Sequence, residues 1–548
     1  DLLNAIKSHK YTQKNPKTPR PKIEIPLNCS AYNLTIRTCP SNYPATYNPE
    51  EDLDHPSSAT CPEFFRWIHE DLRPWAQTGI SREMVEKAKN MGLANFRLVI
   101  LKGKVYLETY RKSFQTRDIF TIWGILQLLR KYPGKIPDLD LMFNCGDPPV
   151  VMSRAFFGPN ATSIPPVFNY CKDKNTLDII FPDWSFWGWP EVNIRPWIPL
   201  LKQIKEGNNK KKWEDKEPYA YWKGNPKVAA TRKDLLKCNV SPKQDWNARL
   251  YVQVDWKREQ RQGYRQSNLA DQCTHKYKIY IEGAAWSVSE KYILACDSVP
   301  LIVKPRFFDF FSRGLIPLHH YWPIKDNDKC RSIKFAVDWA NSHQKEAQEM
   351  GKRTSGFIQK ELKMDNVYDY MFHALNEYAK LLQYEPTIPE KAIEICSESM
   401  ACTATGRNKD FMIESMVNSS ADSAPCTMAP SYDPSSLYSL LRKNANIIEK
   451  EFIVIEFRFT LRDNGMRVAF QLLLYLSSGL MATHVSSSSI GPTSSSNVGA
   501  RASHLQVAFQ STMGTVISEK LDWSNYVLWR SQVVPGVRGY NLSNYIFN

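Results

Sequence analysis

No stretch of about 20 uninterrupted apolar residues, the length that spans a bilayer, occurs in this chain of 548 residues. The longest candidate, VAFQLLLYLSSGLM at residues 468–481, is shorter and carries Gln471, which argues against a transmembrane helix. No C-x-x-C pair is present, so the 12 cysteines do not read as zinc clusters. No nucleic-acid-binding module is recognisable, and the net charge of +15 does not by itself imply a nucleic-acid partner. The densest basic stretch, KEGNNKKKWEDKE at residues 205–217, is interrupted by acids and reads as a solvated loop. An initiating Met with an apolar h-region is also lacking at the opening DLLNAIKSHK. The expected reading is a truncated product whose targeting segment, and any membrane anchor, lies outside the chain.

What is present points to a soluble globular protein: 43% hydrophobic and 23% charged residues, in a chain long enough for two or more domains. The cysteines are spread singly from Cys29 to Cys426, and sequons fall at Asn28, Asn33, Asn160, Asn239 and Asn418. Together they favour a secretory lumen with disulfides over a cytosolic protein with free buried thiols. Aromatic residues make up 12% of the chain, with 16 Trp. Such usage fits carbohydrate or nucleotide sites, where rings stack on flat faces, and also ordinary cores. The run FPDWSFWGW at residues 181–189 concentrates the question in one place.

Residues 1–60 read as an extended Cys-containing stem. NFRLVILKGKVYLETY predicts a hairpin turning at Lys102-Gly103, and TRDIFTIWGILQLLRKYPG a helix stopped by Pro133-Gly134. PDLDLMFNCGDPP predicts a short strand running into a tight turn, which sets Asp147 just past a strand's carboxyl end, where open α/β sheets place ligands. Further on, YKIYIEG reads as strand, SVSEKYILAC as helix, SVPLIV as strand, RFFDFFSRG as a short helix and IPLHHYWPI as strand. Strands separated by helices imply a parallel sheet with crossovers, and two such α/β domains would face each other across a cleft. Residues 331–385 predict helices. The expected domains are 61–205, 206–390, a Cys-containing extension at 391–449 and a low-complexity, disordered tail at 450–548 that includes SSSSIGPTSSSN.

Three places suit chemistry. Asp147, beside Gly146 and two stiffening prolines, suits a general base, although Asp also simply favours turns. In EGAAWSVSEKYIL, Ser287 and Ser289 opening a helix would aim amides at an anion; the plainer reading is an ordinary capped helix. In AYWKGNPKVAATRKDLL, Gly224 permits close backbone approach while Lys223 and Arg232 neutralise a phosphate, against a plain surface turn. Asp138 and Asp140 mimic a metal-holding D-x-D, but their apolar flanks argue against it. His319-His320 is a weak ligand pair, because adjacent residues on a strand point to opposite faces.

CPEFFRWIHEDLRPW, IPDLDLMFNCGD, FPDWSFWGW, AYWKGN, CTHKYKIYIEGAAWSVSEKYILACDSVPLIV and HHYWPIK together resemble the plant branch of glycosyltransferase family 90, over roughly residues 25–445. That family includes Rumi-type protein O-glucosyltransferases and capsule-associated xylosyltransferases. The resemblance implies an α/β fold of GT-B type, two facing Rossmann-like domains with the sugar nucleotide bound mainly by the second. It implies Asp147 as catalytic base, and donor contacts at Asn225, Arg232 and Ala284, Ala285, Trp286, Ser287, Val288 and Ser289; from the residues themselves, Lys223 and Gly224 are added as donor-phosphate candidates. Acceptor contacts fall near Phe114, Arg117, Trp187 and Trp189. Ser289 stands where glucosyl-transferring members often carry an arginine, so UDP-glucose and UDP-xylose both remain open as donor. The implied reaction is an inverting, metal-independent transfer to a hydroxyl on a protein or glycan, in the endoplasmic reticulum or Golgi. A non-catalytic sugar-binding protein of the same fold is the alternative. A hydrolase would need a facing carboxylate pair, with Asp183 or Glu191 as the nearby candidates. The terminal SEKLDWSNYVLWRSQVVPGVRGY resembles the opening of a copia-type retrotransposon polyprotein, implying a fused or mispredicted tail.

Overall fold

The computed structural model describes residues 22–32, 39–40, 59–156 and 158–464. Two sheets organise them. In the first, β1 (Phe96–Leu101) and β2 (Lys104–Thr109) form the expected hairpin, with Lys102 and Gly103 both at positive φ, 50° and 70°. That geometry suits a two-residue turn between antiparallel strands. β3 (Leu139–Phe143) pairs antiparallel with β1, while β4 (Val167–Asn169) and β5 (Ile179–Ile180) continue parallel to β3. This sheet is therefore mixed, because a two-residue turn leaves no room for the crossover that parallel neighbours need.

The second sheet is parallel throughout and follows the alternation seen in the sequence. It comprises β6 (Glu217–Gly224), β7 (Ala248–Val252), β8 (His275–Tyr280), β9 (Val299–Val303) and β10 (Trp322–Ile324). Its spatial order is β10-β9-β8-β6-β7. Counted from β6, this is the doubly wound order 2-1-3-4-5, whose switch point lies between β6 and β8; ligands enter such sheets at the carboxyl ends of that pair. The first sheet is completed by β11 (Ile393–Ile395) against β2.

Two local expectations change. RFFDFFSRG holds only a 3-10 turn, Ser312–Gly314, because Asp309 Oδ1 takes the amides of Phe311 and Ser312, and Phe308 pairs in extended form with Lys172. In IPLHHYWPI only Trp322–Ile324 is strand. His319 and His320 sit on a turn that bends at Leu318 (φ 58°), closed by the Ile316 amide donating to His320 Nδ1 at 3.0 Å. The helical stretch is three helices, Lys329–Ser342, Gln344–Glu361 and Met364–Ala379.

The carboxyl ends of β3 to β5 meet the loops that follow β8 and β9. Lys172 and Phe308 exchange backbone hydrogen bonds of 3.1 and 3.0 Å. Arg306 pairs with Asp173 at 2.7 Å and Lys291 with Asp183 at 2.8 Å. Five disulfides close the structure, Cys29–Cys402, Cys39–Cys396, Cys61–Cys426, Cys238–Cys330 and Cys273–Cys296, a load that belongs to an oxidising compartment. The first of these helps dock residues 22–32 of the segment expected as stem: Ile25 is fully buried and its amide reaches Asn418 O at 2.8 Å. The described residues up to Leu440 form one compact unit and those from Leu441 belong to a second. Within the second, residues 441–464 are helical, and the expected low-complexity and retrotransposon-like segments lie outside the described residues. Among the described residues, no helix is long and apolar enough to cross a membrane.

Candidate active site

Asp147 sits four residues beyond the end of β3, on a turn pinned by side-chain amides. Asn95 Oδ1 accepts the Cys145 amide at 2.8 Å, and Asn144 and Asn169 both donate to the Pro148 carbonyl, at 3.3 and 3.2 Å. The Cys171 thiol adds a contact to Asp147 O at 3.4 Å. With its backbone fixed, the Asp147 side chain is 40% exposed and reaches Arg117, Oδ1 to Nη1 at 2.8 Å. The carboxylate thus engages a cation from another element, which a simple turn cap would not do.

Arg117 opens the helix Arg117–Lys131 and is buried. Its guanidinium carbon lies 4.6 Å from the centre of the Trp184 ring, 5.1 Å from Phe114 and 6.0 Å from Trp189. Phe114 is 66% exposed, at the rim. Trp189 is half-buried and donates Nε1–H to Gln115 Oε1 at 2.8 Å. Trp187 is different: it is fully buried, packs on Gly124 and donates to the Tyr368 hydroxyl at 3.0 Å. Its expected place among acceptor contacts is corrected to the core, because no ring face is open. The aromatic run is therefore divided: Phe181, Phe186 and Trp187 pack the interior, whereas Trp184 and Trp189 enclose an arginine.

On the opposite side, the switch point of the second sheet supplies Asn225 after β6 and the loop from Glu282 to Ser289 after β8. Arg232 knits them together. Its Nε donates to Glu282 O at 2.9 Å, Nη1 to Asn225 O at 3.4 Å, and Nη2 to Ile281 O and Ser287 Oγ, both at 3.1 Å. Burial lowers the Arg232 pKa, opposed by Tyr280, Asp147 and Glu282. Burial also pushes the Glu282 carboxyl up to about 7, although the Phe307 and Arg306 amides bond its Oε1. Ser287 and Ser289 share a hydroxyl hydrogen bond of 2.9 Å.

Several donor-side expectations are revised. Neither serine caps the helix Ser289–Leu294, whose N-cap is Val288, and the Ser287 amide is taken by the Tyr280 hydroxyl at 3.1 Å. Lys223 Nζ bonds the Gln266 carbonyl. A Cβ on Gly224 would come within 2.7 Å of Trp222, so packing alone accounts for that glycine. Asn225 Oδ1 accepts the Lys227 amide at 2.9 Å. Ala284 is exposed, Ala285 and Trp286 are buried, and Val288 and Ser289 are half-buried. Trp286 wedges against Tyr170 and Trp184, at 5.6 and 6.2 Å, and so ties the loop to the first sheet.

Other candidates are occupied structurally. Asp140 is fully buried and holds Arg97 through both oxygens at 2.7 and 2.6 Å, while Asp138 accepts the Lys102 amide at 2.7 Å. Asp183 is locked by Lys291, and Glu191 accepts from Thr116 Oγ1 at 2.9 Å. Burial pushes the Cys145 thiol up to about 12 and Cys171 well above its usual value, so neither is a thiolate. Cys61, His373 and Cys426 cluster within ligand distance, but the two sulfurs are joined as a disulfide. Missed from sequence were Tyr280, Glu282 and Lys291. The strand end before the Gly of IEG was the available signal for the first two; nothing marked the third.

The sequence pattern described as Glycosyl transferase family 90 matches residues 56–453, well over half of the chain. The chain belongs to this family. Proteins similar to it include the O-glucosyltransferase rumi of Drosophila melanogaster, 25% identical over 379 residues, covering 67% of this chain and 89% of the relative. Protein O-glucosyltransferase 1 of Bos taurus and of Homo sapiens are each 26% identical over 356 residues, covering 62% of this chain and 85% of the relative. The family 90 match contains both sheets, Asp147, the Arg117 surround and the Arg232 loop.

Proposed function

We propose that the protein is an inverting transferase that moves glucose or xylose from a UDP-sugar to a hydroxyl group, with Asp147 as general base. The observation that carries this reading is one half-exposed carboxylate on a rigid turn at the end of β3, paired with Arg117 at 2.8 Å, in a fold whose parallel second sheet has Arg232 bracing the loops at its switch point. The meeting of two sheets at their carboxyl ends supports a GT-B arrangement, with a first domain at 61–205 for the acceptor and a second at 206–390 for the donor.

The chemistry follows from that placement. Asp147 removes the proton as the acceptor oxygen attacks the anomeric carbon, the UDP leaving from the opposite face, so configuration inverts. Negative charge then grows on the diphosphate. Arg232 and the hydroxyls of Ser287 and Ser289 are the groups placed to meet it, and the buried arginine acts more strongly there than it would in water. On this reading a cation on the protein supplies the balancing charge and no metal ion is required. The names of the relatives favour glucose as sugar and a protein hydroxyl as acceptor. The five disulfides support a secretory lumen, endoplasmic reticulum or Golgi.

A donor screen tests the proposal. Purified protein mixed with UDP-glucose, UDP-xylose or UDP-galactose should be stabilised against heat and should release UDP from glucose or xylose donor. Stabilisation by none of the three, and no release, would remove the basis of the assignment.

A further inference from the structure

Arg117 has an environment that an acceptor-binding residue does not need. Only about 5% of it is exposed, and its guanidinium is enclosed by the rings of Trp184, Phe114 and Trp189. Trp184 is itself buried and stands edge-on to Trp189, with centroids 5.0 Å apart and planes at 79°. The surround is locked from outside. Trp189 is tied to Gln115, which adopts a left-handed φ of 57°, and Thr116 to Glu191. Three flat faces fit a planar, weakly hydrated cation far better than an ammonium. Along its edge, Nη1 meets Asp147 Oδ1 at 2.8 Å and Cys145 O at 3.4 Å, whereas the buried Nε finds no hydrogen-bond partner among the described residues. Among the described residues the carboxylate this guanidinium pairs with is Asp147, and the surrounding rings restrict its movement toward a substrate.

We infer that Arg117 is a positioning residue for the Asp147 carboxylate, and that Trp184 and Trp189 serve the reaction by immobilising Arg117 instead of stacking on sugar. The inference rests on the reading of Asp147 as base. Its chemical basis is that proton abstraction demands a carboxylate aimed at the attacking oxygen, and a displacement of about 1 Å at such a group costs roughly 10²-fold in rate. An arginine fixed on its faces by aromatic rings and on its edge by a carbonyl supplies that aim.

Hydrolysis of UDP-glucose and UDP-xylose by water, with no acceptor present, separates this role from acceptor binding. Loss of an acceptor contact leaves the water reaction unchanged; loss of aim at the base slows it. Arg117→Ala should lower kcat for hydrolysis about 10²-fold with UDP affinity unchanged, and added guanidinium should restore part of the rate where ammonium does not. If the alanine variant fails to fold, Arg117→Lys carries the test: it should bind UDP normally yet hydrolyse more slowly with unchanged KM. Wild-type kcat in a folded Arg117 variant would overturn the inference alone. Wild-type protein that turns over no UDP-sugar would overturn the assignment of Asp147 beneath it.

Discussion

Asp147→Asn is expected to lower UDP release from the accepted UDP-sugar by roughly 10²–10⁴-fold, the usual contribution of a positioned general base. The replacement keeps the size of the side chain and the turn around it, since that turn is held by Asn95, Asn144 and Asn169 through backbone groups rather than through the carboxylate. UDP affinity should therefore stay within about twofold, because uniform binding is untouched when only a transition-state interaction is lost. Nucleotide release measured beside calorimetric UDP binding checks both halves. A variant that turns over normally would show that another group takes the proton. One that loses UDP binding would show that Asp147 is a donor contact.

Lys291→Met should destabilise the fold by about 3–5 kcal/mol, the cost of removing one partner from a buried ion pair. Lys291 and Asp183 are only 2% and 5% exposed at the side chain, and Lys291 also donates to Ser185 Oγ at 2.8 Å. Without the lysine, Asp183, Glu290 and Asp309 would be left as buried acids in one region. Burial already raises Glu290 well above its usual value and pushes Asp309 up to about 6, with the Asp183 charge adding to the latter and Lys291 opposing it. The sign of the pH dependence follows. A carboxyl whose folded pKa is raised holds its proton more tightly when folded, so stability is lost as pH rises through that value. Because Lys291 opposes the rise, its loss moves the Asp309 pKa further above about 6, so the variant should be weakest above that raised value and recover part of its stability as pH falls through it. Urea denaturation at several pH values measures this, and a loss independent of pH would contradict it.

The contrast between these two sites shows what can be read along a chain. The hairpin at Lys102-Gly103 and the parallel second sheet were legible because turn chemistry and alternation are local signals. Asp147 was legible because a strand followed by Gly-Asp-Pro-Pro places it at a strand end. FPDWSFWGW was not divisible into core and site by spacing. It folds as a 3-10 turn at Trp184–Phe186 followed by Gly188 at a φ of 126°, which erases any regular period. The Arg117 surround joins residues some seventy positions apart, and Asp183 meets Lys291 across more than a hundred, distances at which a single sequence carries no pairing information. Arg232 was read as a phosphate ligand, and its side chain also braces three backbone carbonyls. That role depends on how β6 and β8 lie side by side.

A structure of the protein with UDP bound tests the central claim most directly. The diphosphate is expected against Arg232, Ser287 and Ser289, with the Asp147 carboxylate facing the open side from which an acceptor would arrive. Diphosphate bound elsewhere, or an Asp147 side chain turned behind Arg117 and away from the nucleotide, would contradict it.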